Sequence, residues 1–107
     1  MGLSQYDIVL VNLAPTIGSE INKTRPCLIL SPDEINNNLR NITVAPMTTK
    51  SHPYPTRVKV RHNNQEGWVV IDQIRTIDKA RVIKTLGHLD TVSITECKRV
   101  IKETFVD

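Results

Sequence analysis

A chain of 107 residues with 39% hydrophobic and 23% charged side chains is sized for one domain, spanning 1–107, and is too short for two ordinary ones. Fourteen basic against eleven acidic residues give a net charge of +3, a mild excess that admits an anionic partner such as nucleic acid but lacks a polybasic tail. The aromatic set is only Tyr6, Tyr54, Trp68 and Phe105, which argues against a single-strand binder built mainly on stacking platforms, and no apolar run approaches a membrane span or a secretion signal, which predicts a cytoplasmic protein.

Short runs rich in β-branched residues, separated by turn residues, follow one another along the chain: YDIVLVNL (6–13), PCLILS (26–31), NITVAPM (41–47), TRVKVRH (56–62), GWVVIDQ (67–73) and RVIKTLG (81–87). This pattern predicts a mainly β body, a small barrel-like sheet. Between the first two runs lies a polar loop, GSEINKTRP (18–26), in which Gly18 and Asn22 are suited to turning the chain and Pro26 to opening the next strand. SPDEINN (31–37) reads as a short helix capped by Ser31 with Pro32 at its first position.

In TRVKVRH the period is two, with Val58 and Val60 on a buried face and Arg57, Lys59 and Arg61 on a basic one turned outward. NNQEG (63–67) then returns the chain through a hairpin of moderate loop length. From Thr91 the period becomes helical: Ile94, Cys97, Ile101 and Phe105 form one stripe, predicting a helix packed on the sheet. Its start is either Asp90 or a capping box of Ser93 and Glu96. Cys27 and Cys97 have no ligand or disulfide spacing and read as buried thiols.

In order and spacing, P-T-x-G-S-E (15–20), T-R-P (24–26), VAPMTT (44–49) and DQIRTID (72–78) resemble the MazF/PemK family of toxin endoribonucleases, over nearly the whole chain. The resemblance implies a small SH3-like β-barrel with a C-terminal helix and short additional helices, of the kind shared with CcdB. It also implies a homodimer, a cognate MazE-like antitoxin that blocks the groove, and metal-independent cleavage of single-stranded RNA. In that chemistry the 2′-hydroxyl attacks its own phosphate and leaves 2′,3′-cyclic phosphate and 5′-hydroxyl ends. No cofactor or metal ligand is implied.

Such a reaction needs a group to take the 2′-OH proton, a proton for the leaving 5′-oxygen, and positive charge at the phosphorane. Arg25 matches the arginine of the T-R-P motif, offers a planar fork of donors to stabilise charge at the phosphorane, and is also a candidate to supply the proton of the leaving oxygen. Thr48 in VAPMTT supplies a hydroxyl that can hold a phosphate oxygen or the nucleophile, with Thr49 as a neighbour of the same kind. Glu20 is the first candidate for the base, and Asp72 and His52 are alternatives beside a mechanism with no strong base. A PemK-type acid/base pair does not map well, because Val70 stands in place of an arginine and Ser19 in place of a histidine.

RNA contacts are expected from Ser19, Lys23, Thr49, Lys50, His52, Tyr54, Gln73 and Arg75, with sequence selectivity in loops 15–24 and 50–56. Arg57, Lys59 and Arg61 add basic surface. Arg75 serves equally well in an internal polar network, and Asp78 reads as the cap of a turn over Lys79 and Arg81. His62 and His88 read as exposed or packing residues. Two rival functions use the same fold: a gyrase-type poison acting through the terminal helix, and a nuclease-dead module that binds RNA or antitoxin.

Overall fold

The computed structural model describes residues 2–15, 17–21 and 23–106. Thr16 of the P-T-x-G-S-E motif and Asn22, expected to turn the loop, lie outside the described residues. Each of the six apolar runs forms a strand: β1 (Asp7–Asn12), β2 (Thr24–Ile29), β3 (Asn41–Thr48), β4 (Arg57–His62), β5 (Gln65–Val70) and, after the short β6 (Arg75–Asp78), β7 (Val82–His88). Among the described residues two α-helices accompany them, α1 (Asp33–Asn38) and α2 (Thr91–Ile101).

All pairings are antiparallel, in the order β4-β5-β3-β2-β1-β7, and β6 adds to β3. β3 is the hub: Val44 faces Ile29 of β2 and also Arg75 of β6, while Met47 and Thr48 pair with Val69 and Trp68 of β5. The sheet curls into a half-barrel with the C-terminal helix against it, so the mainly β expectation holds. β1, β2 and β3 bury residues on both faces, which is why their runs read as nearly continuous apolar stretches, whereas β4 alternates between buried Val58 and Val60 and outward Lys59 and Arg61. Along β1, Ile8 belongs to the cluster of Leu28, Met47, Val60, Cys97 and Val100, whereas Val9 and Val11 belong to that of Cys27, Ile29, Val44 and Ile77. Successive side chains on a strand point to opposite faces, so one strand feeds both clusters.

Some local expectations are corrected. The β4–β5 hairpin turns on two residues, Asn63 and Asn64, with φ of 50° and 63°, and His62 pairs directly with Gln65. Two left-handed central residues match the twist of the flanking strands, and asparagine tolerates that conformation, so no longer loop is needed. Ser31 does not cap α1: its buried hydroxyl donates to Asn36 Oδ1 at 2.6 Å and accepts from the Thr43 amide at 3.1 Å, stapling helix to strand. α2 starts at Asp90, whose carboxylate accepts from the Ser93 amide at 3.0 Å, while Glu96 turns to Arg99 instead of closing a capping box.

After Ile101 the helix widens into a π turn over Lys102–Val106, which rotates Phe105 away from the stripe and leaves it exposed. Val100, off the expected stripe, is buried with Cys97. Asp78 caps its turn as expected, accepting from the Ala80 amide at 2.8 Å. Among the described residues no helix is long and apolar enough to cross a membrane.

Candidate functional site

Thr24, Arg25 and Pro26 lie inside β2 rather than at a loop end, with Arg25 opposite Val11 and Pro26 opposite Leu10 of β1. On its other edge β2 pairs with β3 only from Cys27 to Ile29. The ladder therefore ends before Pro26, where a residue without an amide hydrogen has no bond to break. Beyond that point β3 continues toward β5. The parting leaves a cavity of about 260 Å³ whose wall includes Arg25, Pro26, Met47, Thr48 and Thr49, with His62, Asn63, Gln65 and Glu66 from the β4–β5 hairpin. Arg25 and Thr48, remote in sequence, thus meet in one space, both half-buried.

The Thr48 hydroxyl is engaged with its own chain. It accepts from the Lys50 amide at 3.3 Å and donates to the Lys50 carbonyl at 3.2 Å, which fixes its rotamer at the mouth of the cavity. Beyond it, the loop with Lys50, His52 and Tyr54 is exposed. His52 meets the Tyr54 ring edge-on at 5.8 Å, and the Arg57 guanidinium lies 5.0 Å from the centre of the same ring. Arg57 also donates to Ser51 Oγ at 2.8 Å and to Asp72. Arg57 is therefore not part of an open basic face: it is half-buried and holds the loop from beneath. Lys59, by contrast, is exposed and paired with Glu66 at 3.1 Å.

A second cavity, of about 230 Å³, gathers Glu20, Ile21, Pro46, Asp72, Gln73 and Arg75. Glu20, one of the candidate bases, therefore sits with Asp72 and not on the wall that Arg25 and Thr48 share. Glu20 Oε1 accepts from the Ile17 amide at 3.0 Å, within its own loop. Gln73 Oε1 accepts from the Ile21 amide at 2.9 Å, tying the loop to the 3-10 turn Ile71–Gln73. Arg75 Nη1 donates to the Leu13 carbonyl at 3.5 Å. Ser19 and Lys23 are exposed on the loop, Lys23 at a φ of 70° with its carbonyl accepting from the Leu13 amide at 3.0 Å.

For Asp72, partial burial pushes the carboxyl pKa up, but hydrogen bonds from Arg57 and Thr56 outweigh it and hold the group below the usual carboxylate range. A carboxylate stabilised in that way is a weak base. Burial raises the Cys27 thiol to about 12, against a smaller pull from Arg75, so it is no nucleophile at neutral pH. Among the described residues no three His, Cys, Asp or Glu side chains gather as metal ligands. Sequence reasoning missed His62 and the hairpin residues on the Arg25 wall, because a longer turn would have carried them away. The signal was the Asn63-Asn64 pair, which permits the two-residue turn.

These features define a class of small, curled antiparallel proteins with an arginine and a hydroxyl converging where two central strands part. The chain belongs to the family described as PemK-like, MazF-like toxin of type II toxin-antitoxin system, whose model matches residues 4–105. It is similar to endoribonuclease EndoA of Bacillus subtilis (strain 168), with 31% identity over 96 residues, 84% of this chain and 83% of that protein. With the endoribonuclease toxin MazF of Escherichia coli (strain K12) it shares 35% identity over 71 residues, 66% of this chain and 64% of that protein, just under two-thirds of its length. The fold is that of MazF (Form-I) from Deinococcus radiodurans, at a TM-score of 0.89 and 23% identity over 100% of this chain and 99% of the other. It is also that of a mycobacterial endoribonuclease solved in complex with its cognate antitoxin, at a TM-score of 0.83 and 18% identity over 97% and 95%.

Proposed function

We propose that this single-domain, cytoplasmic protein is the toxin of a type II toxin-antitoxin pair, a homodimeric endoribonuclease that cuts single-stranded RNA at short sequences without a metal ion. One observation carries the reading: Arg25 and Thr48 wall the same open cavity, in a chain of this family. The 2′-hydroxyl attacks the adjacent phosphorus, the bond to the 5′-oxygen breaks, and cyclic phosphate and 5′-hydroxyl ends remain. Arg25 donates to the equatorial oxygens of the phosphorane, where charge accumulates, and its guanidinium stays protonated throughout. Thr48 orients the phosphate, exchanging one of its bonds with Lys50 for one with the substrate.

RNA then runs over the exposed loop with Thr49, Lys50, His52 and Tyr54 on one side and past Ser19, Lys23 and the cavity of Glu20, Gln73 and Arg75 on the other. The lysines and Arg75 serve the phosphates, and Tyr54 and His52 offer ring faces to bases. A MazE-like antitoxin with an acidic segment complements the same basic surface. The solved complex of a similar fold with its antitoxin supports this pairing.

The test incubates purified protein with a long unstructured RNA in excess EDTA, beside Arg25→Ala, and maps fragment ends chemically. Cleavage at a recurrent short sequence with cyclic phosphate ends, lost in the variant, is the expected result. A folded protein that cuts none of several RNAs overturns the reading in favour of a gyrase-type poison or a nuclease-dead module.

A further inference from the structure

The reaction needs a group beside Arg25 and Thr48 that takes the 2′-hydroxyl proton. Glu20 and Asp72 lie in the neighbouring cavity, the first spent on its own loop and the second held by Arg57 and Thr56. His52 leans on Tyr54 in the exposed loop and is not on the wall that Arg25 and Thr48 share. The histidine that is on that wall is His62, brought there by the two-residue turn at Asn63 and Asn64.

The ring of His62 has a prepared seat. Gly87, at a φ of 151°, lies so close that a Cβ there would fall 2.7 Å from His62 Cε1 and 2.8 Å from Nε2, while Nδ1 would lie 3.9 Å away. Nε2 faces the Leu86 carbonyl at 3.4 Å, a long contact. A carbonyl can only accept, so this contact favours the tautomer with hydrogen on Nε2 and leaves Nδ1 as the nitrogen with a lone pair. The ring is half-buried, reachable from the cavity and oriented from behind.

We propose that His62 is the proton-transfer residue of the cleavage reaction, a role that rests on the endoribonuclease reading. Nδ1 takes the proton of the 2′-hydroxyl as the 2′-oxygen bonds to phosphorus and the bond from phosphorus to the 5′-oxygen breaks. The leaving oxygen is protonated by solvent water, and the imidazolium returns its proton to solvent, so no net proton or water is consumed. The charged residues that line the cavity with the ring are Arg25 of β2 and Glu66 of β5, the latter paired with Lys59, while Arg61 is the ring's neighbour on β4 and Arg57, at the far end of that strand, is held by Asp72. β1 and β7 bring Ile8, Leu86 and Gly87 to the ring, and their own titratable residues are Lys84 and the pair of Asp7 and His88, 3.0 Å apart.

The experiment measures kcat/KM on a cleavable single-stranded RNA against pH for the wild type and His62→Gln, with Arg25→Ala as the control for the site. Neutral imidazoles act as bases and protonated ones do not, so the wild type is expected to lose activity on the acid side of its pH profile. His62→Gln is expected to lose about 10²- to 10⁴-fold in kcat/KM together with that acid limb. Independently of any variant, the midpoint of the limb must coincide with the titration of His62 followed by NMR in the wild type.

A loss below about tenfold, a limb that survives in the variant, or a midpoint unrelated to His62 overturns the assignment while leaving the nuclease reading intact. If His62→Gln does not fold, the wild-type comparison decides. If the wild type cuts nothing, the nuclease reading fails and this assignment fails with it.

Discussion

Asp72 accepts along one edge of the Arg57 guanidinium, from Nε at 3.3 Å and Nη2 at 3.4 Å, and so joins the 3-10 turn after β5 to the first residue of β4. One bond pattern removes a cation from the basic strand face and a carboxylate from the list of bases. It also anchors the loop of His52 and Tyr54, since the same guanidinium donates to Ser51 and lies against Tyr54.

Breaking the pair should therefore cost stability. Asp72→Asn is expected to lose about 0.5–1 kcal/mol at neutral pH, a modest figure because Asp72 is partly exposed. The folded pKa lies below the unfolded one. The contribution is thus complete above the ordinary Asp value of about 4 and fades as pH falls through the lower folded value. Urea titrations at pH 7 and at acid pH, run as a double-mutant cycle with Arg57→Ala, read this directly. No coupling at pH 7, or coupling that grows on acidification, would contradict it.

Asp90 alone should carry the start of α2. Its carboxylate holds the Ser93 amide at 3.0 Å, and hydrogen bonding at Ser93 lowers its pKa. Asp90→Ala is expected to cost about 1 kcal/mol, and Asp90→Ser to recover most of that. Glu96→Gln, which a capping box would make damaging, should change stability little, because Glu96 is exposed and turned to Arg99. Thermal denaturation of the three variants separates the two caps.

How much of this was legible in the sequence depended on whether local chemistry or distant pairing decided each element. The six apolar runs became strands because β-branched residues with turn residues between them leave few other ways to bury their side chains. Asp78 and Asp90 announced their caps through short-range bonds that any chain can form. β6 did not announce itself: Arg75, Thr76 and Asp78 are polar, and only pairing with β3 makes that segment a strand. Arg25 was recognised by its motif, yet its place inside β2 followed from Thr24 and Val11 meeting their partners on β1 and β2. His62 was invisible for the same reason, since its position on the Arg25 wall is a matter of hairpin register.

The two thiols should be silent in the folded protein. Burial lifts Cys27 and Cys97 to about 12, with Glu96 and Asp90 adding to the rise at Cys97, and both side chains are fully buried. A thiol-disulfide reagent at pH 8 is expected to label neither cysteine without denaturant and both in urea, because only an accessible thiolate reacts. Rapid labelling of the native protein would show that the core around Val100 or Ile29 opens far more readily than its packing implies.

Replacing Gly87 should cost more while His62 is present than in its absence. A methyl at this position meets the imidazole at 2.7 Å, and the φ of 151° itself disfavours any side chain. Gly87→Ala is expected to destabilise by about 1–3 kcal/mol through overpacking and backbone strain together. Replacing the ring by His62→Ala removes the steric part but not the backbone part, so the double variant should lose less than the two single losses summed. Denaturant titration of the four proteins gives the coupling energy. Strict additivity would mean that the imidazole swings aside at no cost and that Gly87 does not fix its orientation, whereas strong coupling ties the backbone of β7 to the direction of the His62 nitrogens.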